Sequence, residues 1–218
     1  MTSFARARRN MIDNQLRPNQ VLDPRVLEAL DAVPREMFLP KAMRGVAYSD
    51  EDLALPDGRH LIEPLTFGRM LQAADIQPSD VVLVVGCDTG YGAAVVAQLA
   101  ATVIALQADD TAAARVQAAL DEQKVGTAVV AVEAEPVKGC PAQAPFDAIL
   151  VLGSLGAVPP ALGDQLSEMG RLAAVIRRGR VGKLSLWTKV DGTLGRRELA
   201  EAAIPALPEA HTEPGFAF

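Results

Sequence analysis

Between residues 80 and 107 the apolar positions run in unbroken blocks instead of alternating with polar ones. Val81, Val82, Leu83, Val84 and Val85 are followed by Gly86, and residues 101–107 (ATVIALQ) repeat the pattern. Blocks of this length bounded by Gly or polar residues predict strands buried on both faces, the kind found in parallel sheets. Gly126–Val132, Phe146–Leu152 and Leu172–Ile176 read as three more strands. Between them the apolar positions predict helices: residues 93–100 (AAVVAQLA), Asp109–Leu120 opened by two acids that suit a helix N-terminus, and a short helix from Pro159-Pro160 to Leu166. Residues 133–144 and Gly153–Gly156 read as loops, and Gly170 ends the turn before the fifth strand. Val181–Val190 and Leu194–Ala203, joined at Asp191-Gly192 after a basic turn at Arg177–Gly182, predict a final antiparallel pair. Strand and helix alternating through short links imply an α/β fold, with a mostly parallel sheet and helices on both faces.

Ahead of this core, residues 1–45 are helical in pattern. Asp23-Pro24 is a helix start, with Val26, Leu27, Leu30 and Val33 behind it at helical spacing. Pro34 and Pro40 interrupt the helical pattern after Val33, Tyr48–Pro64 is irregular, and Leu65–Ala74 resumes a helix. The organisation read from this is one domain over 1–218. It has a helical cap and loop at 1–64, a core at 65–205 and a tail at 206–218.

The chain has 218 residues, half of them hydrophobic, and a net charge of −6. That suits one soluble, cytoplasmic domain. The acidic balance argues against nucleic acid as a partner, and no apolar run approaches the ~20 residues of a membrane span. The basic N-terminus has no apolar stretch behind it, so it is not a secretory signal, and Arg6, Arg8 and Arg9 read as a solvated helix face. Cys87 and Cys140 are too few for a disulfide framework, lack metal-ligand spacing, and read as small apolar filler.

The stretch Asp80–Ala100 carries the candidate chemistry. A buried strand, a glycine turn at Gly86–Gly92 and a helix N-terminus place backbone N–H groups where a nucleotide-type ligand sits. Gly86, Gly90 and Gly92 do not form G-x-G-x-x-G, which sets a nicotinamide dehydrogenase aside. NQLRPNQVLDPRVLEALDAVPREMFLP, AYSDEDLAL, GRHLIEP, VLVVGCDTGYGAAVVAQLA, APFDAILV, PPALGDQL and GRLAAVI follow in that order. In that combination, over about residues 10–205, the chain resembles the protein-L-isoaspartate O-methyltransferase family. The resemblance implies a Rossmann-like class I methyltransferase fold, with a doubly wound, mostly parallel sheet, a C-terminal antiparallel pair and an N-terminal helical cap. It also implies methyl transfer from S-adenosylmethionine to an isoaspartyl carboxylate of a protein or peptide, a step in protein repair.

The resemblance implies a cofactor site at Gly86, Asp88, Gly90, Gln107 and Glu135, with several departures from the family pattern. Val84 stands where the family carries an acid, and Asp88 stands for the middle glycine. Asp88 either puts a second anion beside the cofactor carboxylate or serves only as the cap of the following helix. Gln107 stands for the acid that grips the ribose, a loss on the order of 1 kcal/mol or roughly fivefold to tenfold in affinity. Asp109, two residues on, either substitutes for that acid or, more simply, starts the next helix. Glu135 keeps an acceptor for the adenine amine, while Pro136 removes a backbone donor. On the substrate side, the family segment G-x-T-I-S-x-P is here Gly58–Pro64, with Ile62 at the serine's position.

His60, Ile62 and Glu63 are therefore the substrate-side candidates, with no catalytic residue assigned. His60 is a general base or, more simply, a loop histidine; Glu63 is a substrate-side acid or, preferably, a helix cap. Asp147, Met70 and Trp187 read as structural. These departures lead to an expectation of weakened S-adenosylmethionine binding. They also keep a second reading open, a degenerate homologue acting as a binding or interaction module.

Overall fold

The computed structural model describes residues 2–207 except Asp57, Cys87 and Arg180; the tail from 208 onward and the proposed packing of Cys87 lie outside them. The elements in order are α1 (Ser3–Met11), α2 (Pro24–Ala32), β1 (Leu53–Ala54), β2 (His60–Leu61), α3 (Pro64–Ala74), β3 (Val81–Val85) and α4 (Tyr91–Val96). They continue with β4 (Thr102–Gln107), α5 (Asp110–Glu122), β5 (Ala128–Val132), β6 (Phe146–Leu155), α6 (Pro160–Asp164), β7 (Leu166–Arg178), β8 (Val181–Val190) and β9 (Thr193–Glu201). The main sheet has the order β5-β4-β3-β6-β7-β8-β9, parallel from β5 to β7 and antiparallel across β7-β8-β9. A separate hairpin, β1-β2, interrupts the segment that reads as irregular in the sequence.

The unbroken apolar blocks are buried on both faces, as their pattern predicts. Val82, Val84, Val103, Ala105, Ala148 and Leu150 face one core, shared with α1 to α5; Leu83, Val85, Ile104, Leu106, Ile149 and Val151 face the other. The two faces are unequally covered. The second carries the short α6, 3-10 turns at Pro136–Lys138 and Pro141–Gln143, and Leu207. Gln165 staples that face: its amide accepts from Cys140 N–H (2.7 Å) and donates to the carbonyls of Lys138 (2.7 Å) and Ala161 (2.9 Å). A Cβ on Gly139 would fall 2.4 Å from the Gln165 amide oxygen, so only glycine fits that approach.

Capping follows side-chain chemistry. Asp23 accepts from the Arg25 N–H at 2.8 Å with Pro24 in the first turn of α2, and Asp109 accepts from the Ala112 N–H at 2.7 Å at the start of α5. Asp147 lies at the opposite end of the sheet from the glycine turn. It accepts from the Val81 N–H (2.9 Å) and the Ser167 hydroxyl (3.0 Å), the structural role expected of it. Met70 is fully buried, and Trp187 is packed beneath the Arg196 guanidinium, 5.4 Å from the ring centre.

Four boundaries differ from the sequence reading. The helix expected at 93–100 begins at Tyr91, because Gly90 in the left-handed region (φ 85°) turns the chain at once. It ends at Val96, where bonds from Gln98 and Leu99 to residues three back tighten the chain. β6 runs through the expected loop to Leu155: after a register shift Ser154 and Leu155 pair with Val175 and Ile176 of β7, and Ser154 also bonds the C-terminal segment, its N–H donating to Pro205 (2.7 Å) and its carbonyl accepting from Leu207 (3.0 Å). β7 begins at Leu166, and the turn ending at Gly170 is a bulge inside it. Arg177 and Arg178 belong to β7, so the basic turn is shorter than expected. Finally, the Arg6–Arg9 face is more than solvated. Arg8 donates to the Tyr48 hydroxyl (3.3 Å) and lies 3.6 Å from Asp31, and Arg9 pairs with Asp31 at 2.8 Å.

Candidate active site

The chain proceeds from β3 outward to β4 and β5, then returns to lay β6 and β7 on the other side of β3. In an open α/β sheet, that reversal leaves a crevice at the carboxyl ends of the strands, where ligands bind. Two clefts meet there, sharing Gly86 and Asp88. The wider one, about 310 Å³, is lined by Gly58, Arg59, Gly86, Asp88, Leu106, Gln107, Ala108, Asp109, Ala112, Arg115 and Pro136. The narrower has space for the centre of about one water molecule (≈ 10 Å³) and is lined by His60, Leu61, Ile62, Phe67, Gly86, Asp88, Thr89, Tyr91, Gly92 and Leu152.

The turn between β3 and α4 is held from two sides. Gly86 adopts φ 77°, and a Cβ there would meet the Leu207 side chain at 2.6 Å. From the β1-β2 hairpin, Arg59 donates to the Asp88 carbonyl at 2.5 Å, and the His60 N–H makes a long bond (3.5 Å) to the Asp88 carboxylate. Asp88 is not the helix cap. Gly90 occupies that position, and the Thr89 hydroxyl accepts from the Tyr91 N–H at 3.3 Å. Val84, at the position of the family acid, is wholly buried in the apolar core.

Gln107 ends β4 and is buried, its amide donating to the Leu106 carbonyl at 2.8 Å. Asp109, two residues on, lines the same cleft but spends its carboxylate on the α5 cap. Pro136 lines the cleft; Glu135 beside it is exposed, outside the lining, and paired with Lys138 at 2.6 Å.

On the other side, Ile62 is buried and lines the narrow cleft, with His60 at its edge. Glu63 takes the N-cap position of α3 as preferred, but its carboxylate accepts from the Thr66 hydroxyl instead of a backbone N–H. Its own N–H donates to Asp52 at 2.9 Å, and burial pushes the Asp52 carboxyl above its usual range.

Two residues that the sequence did not single out shape this side. Arg35, from the VPRE run, is completely buried; its Nε donates to Ala47 O (2.7 Å) and its Nη2 to Ile62 O (2.6 Å). Its guanidinium carbon lies 5.0 Å from the centre of the Tyr91 ring. Tyr91 is in turn packed edge-on by Phe38 (centroids 5.6 Å apart) and tilted against Phe67 (5.8 Å). Burial pushes the Arg35 guanidinium down and the Tyr91 hydroxyl up from their ordinary values. The one signal available in the sequence was an Arg-Glu pair held with three apolar residues between two prolines. Among the described residues, no group of three His, Cys, Asp or Glu is placed to hold a metal, and no helix is long and apolar enough to cross a membrane.

Comparison with known proteins gives a consistent picture. A family model described as protein-L-isoaspartate(D-aspartate) O-methyltransferase matches residues 6–206. A protein-L-isoaspartate O-methyltransferase of Koribacter versatilis is 38% identical over 207 residues, 95% of this chain and 93% of that one. Another, from a Roseiflexus species, is 36% identical over 210 residues, 95% and 94% of the two chains. Two solved structures share the fold. One, titled protein-L-isoaspartate O-methyltransferase, has a TM-score of 0.79 at 22% identity over 92% of this chain and 65% of its own. The other, a putative Plasmodium falciparum member in complex with S-adenosyl-L-homocysteine, has a TM-score of 0.79 at 17% identity over 96% and 100%.

Proposed function

The chain belongs to the protein-L-isoaspartate O-methyltransferase family, and from that premise we propose that it transfers a methyl group from S-adenosylmethionine to the carboxylate of an isoaspartyl residue in a protein or peptide. The observation that carries this reading is the pair of clefts joined at Gly86 and Asp88, one reaching Gln107 at the end of β4 and the other closed by Ile62 and Tyr91. A donor in the first cleft would direct its methyl toward an acceptor carboxylate at the mouth of the second. The residues fit such a donor: the start of the glycine turn and a buried amide at the end of the neighbouring strand, where a ribose would lie, line one cleft together.

When bound, S-adenosylmethionine supplies a sulfonium whose methyl carbon is already electrophilic. The chain then has two tasks. Gly86, Asp88 and Gln107 would hold the donor, with Gly90 shaping the turn and Glu135 at the margin; the apolar wall of Ile62, Phe67 and Tyr91 would align the acceptor and exclude water. A carboxylate acceptor is ionised at neutral pH, so the reaction needs no general base, and His60 contributes its backbone N–H to the turn. We infer that donor affinity is lower than in members with an acid at position 107, by roughly fivefold to tenfold for one charge-assisted bond. The deciding experiment is transfer of labelled methyl to an isoaspartyl peptide, with its aspartyl isomer as control. Base-labile label on the first and not the second supports the reading; no label on either overturns it.

A further inference from the structure

Arg35 is the largest fully buried side chain among the described residues. A buried cation carries a large desolvation cost, and an apolar residue of similar size is often at least as stable in its place. Both of its hydrogen bonds go to backbone carbonyls, of Ala47 and Ile62, instead of to a carboxylate, and Nη1 is buried with no hydrogen-bond partner among the described residues. Two of the groups it touches, Ile62 and the Tyr91 ring, belong to the wall of the narrow cleft. A planar guanidinium suits this arrangement: it reaches two carbonyls from different segments and lies over a ring at once, which an ammonium does not. It also places a positive charge behind an apolar wall, where water screens it little.

We propose that Arg35 is a positioning residue for the methyl acceptor: through the Ile62 carbonyl and the Tyr91 ring it fixes the cleft wall and makes that wall attractive to an incoming carboxylate. The proposal rests on the function given above and adds a division of labour. Donor binding belongs to Gly86, Asp88 and Gln107, whereas the contacts of Arg35 are with Ala47, Ile62 and the Tyr91 ring; acceptor binding depends on Arg35.

The test is Arg35→Lys, which keeps the charge and loses the fork. Its KM for an isoaspartyl peptide rises tenfold or more, while the affinity for S-adenosylhomocysteine, measured by titration calorimetry, stays within twofold of wild type. Equal loss of both, or an unchanged peptide KM, overturns the proposal, since a merely structural staple would loosen donor and acceptor together or neither. Because this variant risks failing to fold, a second measurement uses the wild-type protein saturated with S-adenosylhomocysteine. The side-chain N–H resonances of Arg35 shift on adding isoaspartyl peptide and do not shift with the aspartyl isomer; identical spectra overturn the proposal. Wild-type turnover separates the two claims. Its absence removes the proposed function and this inference with it, whereas turnover with unchanged peptide KM in Arg35→Lys removes only the role of Arg35.

Discussion

Arg59, on the small hairpin, donates to the backbone carbonyl of Asp88, 2.5 Å away in the glycine turn. With the adjacent His60 N–H facing the Asp88 carboxylate, the residue that departs from the family's glycine is met by donors from the substrate-side loop. A guanidinium and an N–H offset part of the anion's repulsion toward a cofactor carboxylate. The larger affinity penalty therefore lies at Gln107. Titration calorimetry with S-adenosylhomocysteine checks this: Gln107→Glu tightens binding roughly fivefold to tenfold, one charge-assisted bond. Adding Asp88→Gly to it contributes less. A larger gain from Asp88→Gly alone would place the conflict back in the turn.

Gly86 is pinned by two independent constraints. Its φ of 77° is unfavourable for any residue with a Cβ, and that Cβ would meet Leu207 at 2.6 Å. Gly86→Ala is expected to lose about 1–2 kcal/mol from the backbone alone, seen as a lower Tm, together with cofactor affinity. Leu207→Ala alone is destabilising, because that side chain is buried, but in a double-mutant cycle Gly86→Ala costs less in the Leu207→Ala background than in wild type, since the collision is gone and the strain remains. No cost of Gly86→Ala in that background would show that the backbone angle carries none.

Asp52 links stability to pH. Burial holds its carboxyl above the usual range in the folded chain, so the folded state keeps a proton that the unfolded state has released. Stability from this group is present below the unfolded carboxylate pKa and falls as pH rises through the folded one. Asp52→Asn, which can still accept from the Glu63 N–H, is expected to be more stable than wild type at neutral pH and equal to it in strong acid. Denaturant unfolding at several pH values tests the crossover; a constant difference across pH would rule out titration of Asp52 as its source.

The parts of this molecule legible in its sequence are those where one physical demand dominates. Val81–Val85 and Thr102–Gln107 must be strands, because no other element buries a short apolar run on both sides so economically, and locating them locates Gly86 and Gln107 at their ends. The features that were not legible depend on partners far away in the chain. Asp88 leaves a second anion and a helix cap both open until Gly90 is seen at the cap position and the hairpin is seen to reach Asp88, and the pairing of Glu135 with Lys138 shows only in the fold. Ser154 and Leu155 belong to a strand because Val175 and Ile176 of β7 pair with them, and Pro205 and Leu207 bond Ser154 from the other end of the chain. Arg35 looks like a surface charge, since nothing local announces that residues 47, 62 and 91 converge on it.

Ile62 offers the most direct test of substrate choice. Its side chain is buried in the wall of the narrow cleft, at the position where the family resemblance puts a serine, and its carbonyl is held by Arg35. Ile62→Ser leaves that backbone bond available and exchanges an apolar group for a hydroxyl facing the acceptor. Stability falls, within the ~2–5 kcal/mol typical of emptying a buried isoleucine site. Selectivity moves the other way. One new hydrogen bond to the correctly placed carboxylate is worth on the order of 1 kcal/mol, so the ratio of kcat/KM for isoaspartyl over aspartyl peptide rises about fivefold to tenfold. The two peptides present the same groups, differing in which carboxyl of the aspartate joins the backbone. A hydroxyl fixed in the wall distinguishes them by position, and an apolar wall distinguishes them only by shape. An unchanged ratio in a folded Ile62→Ser protein would mean that the acceptor is read elsewhere than along this wall.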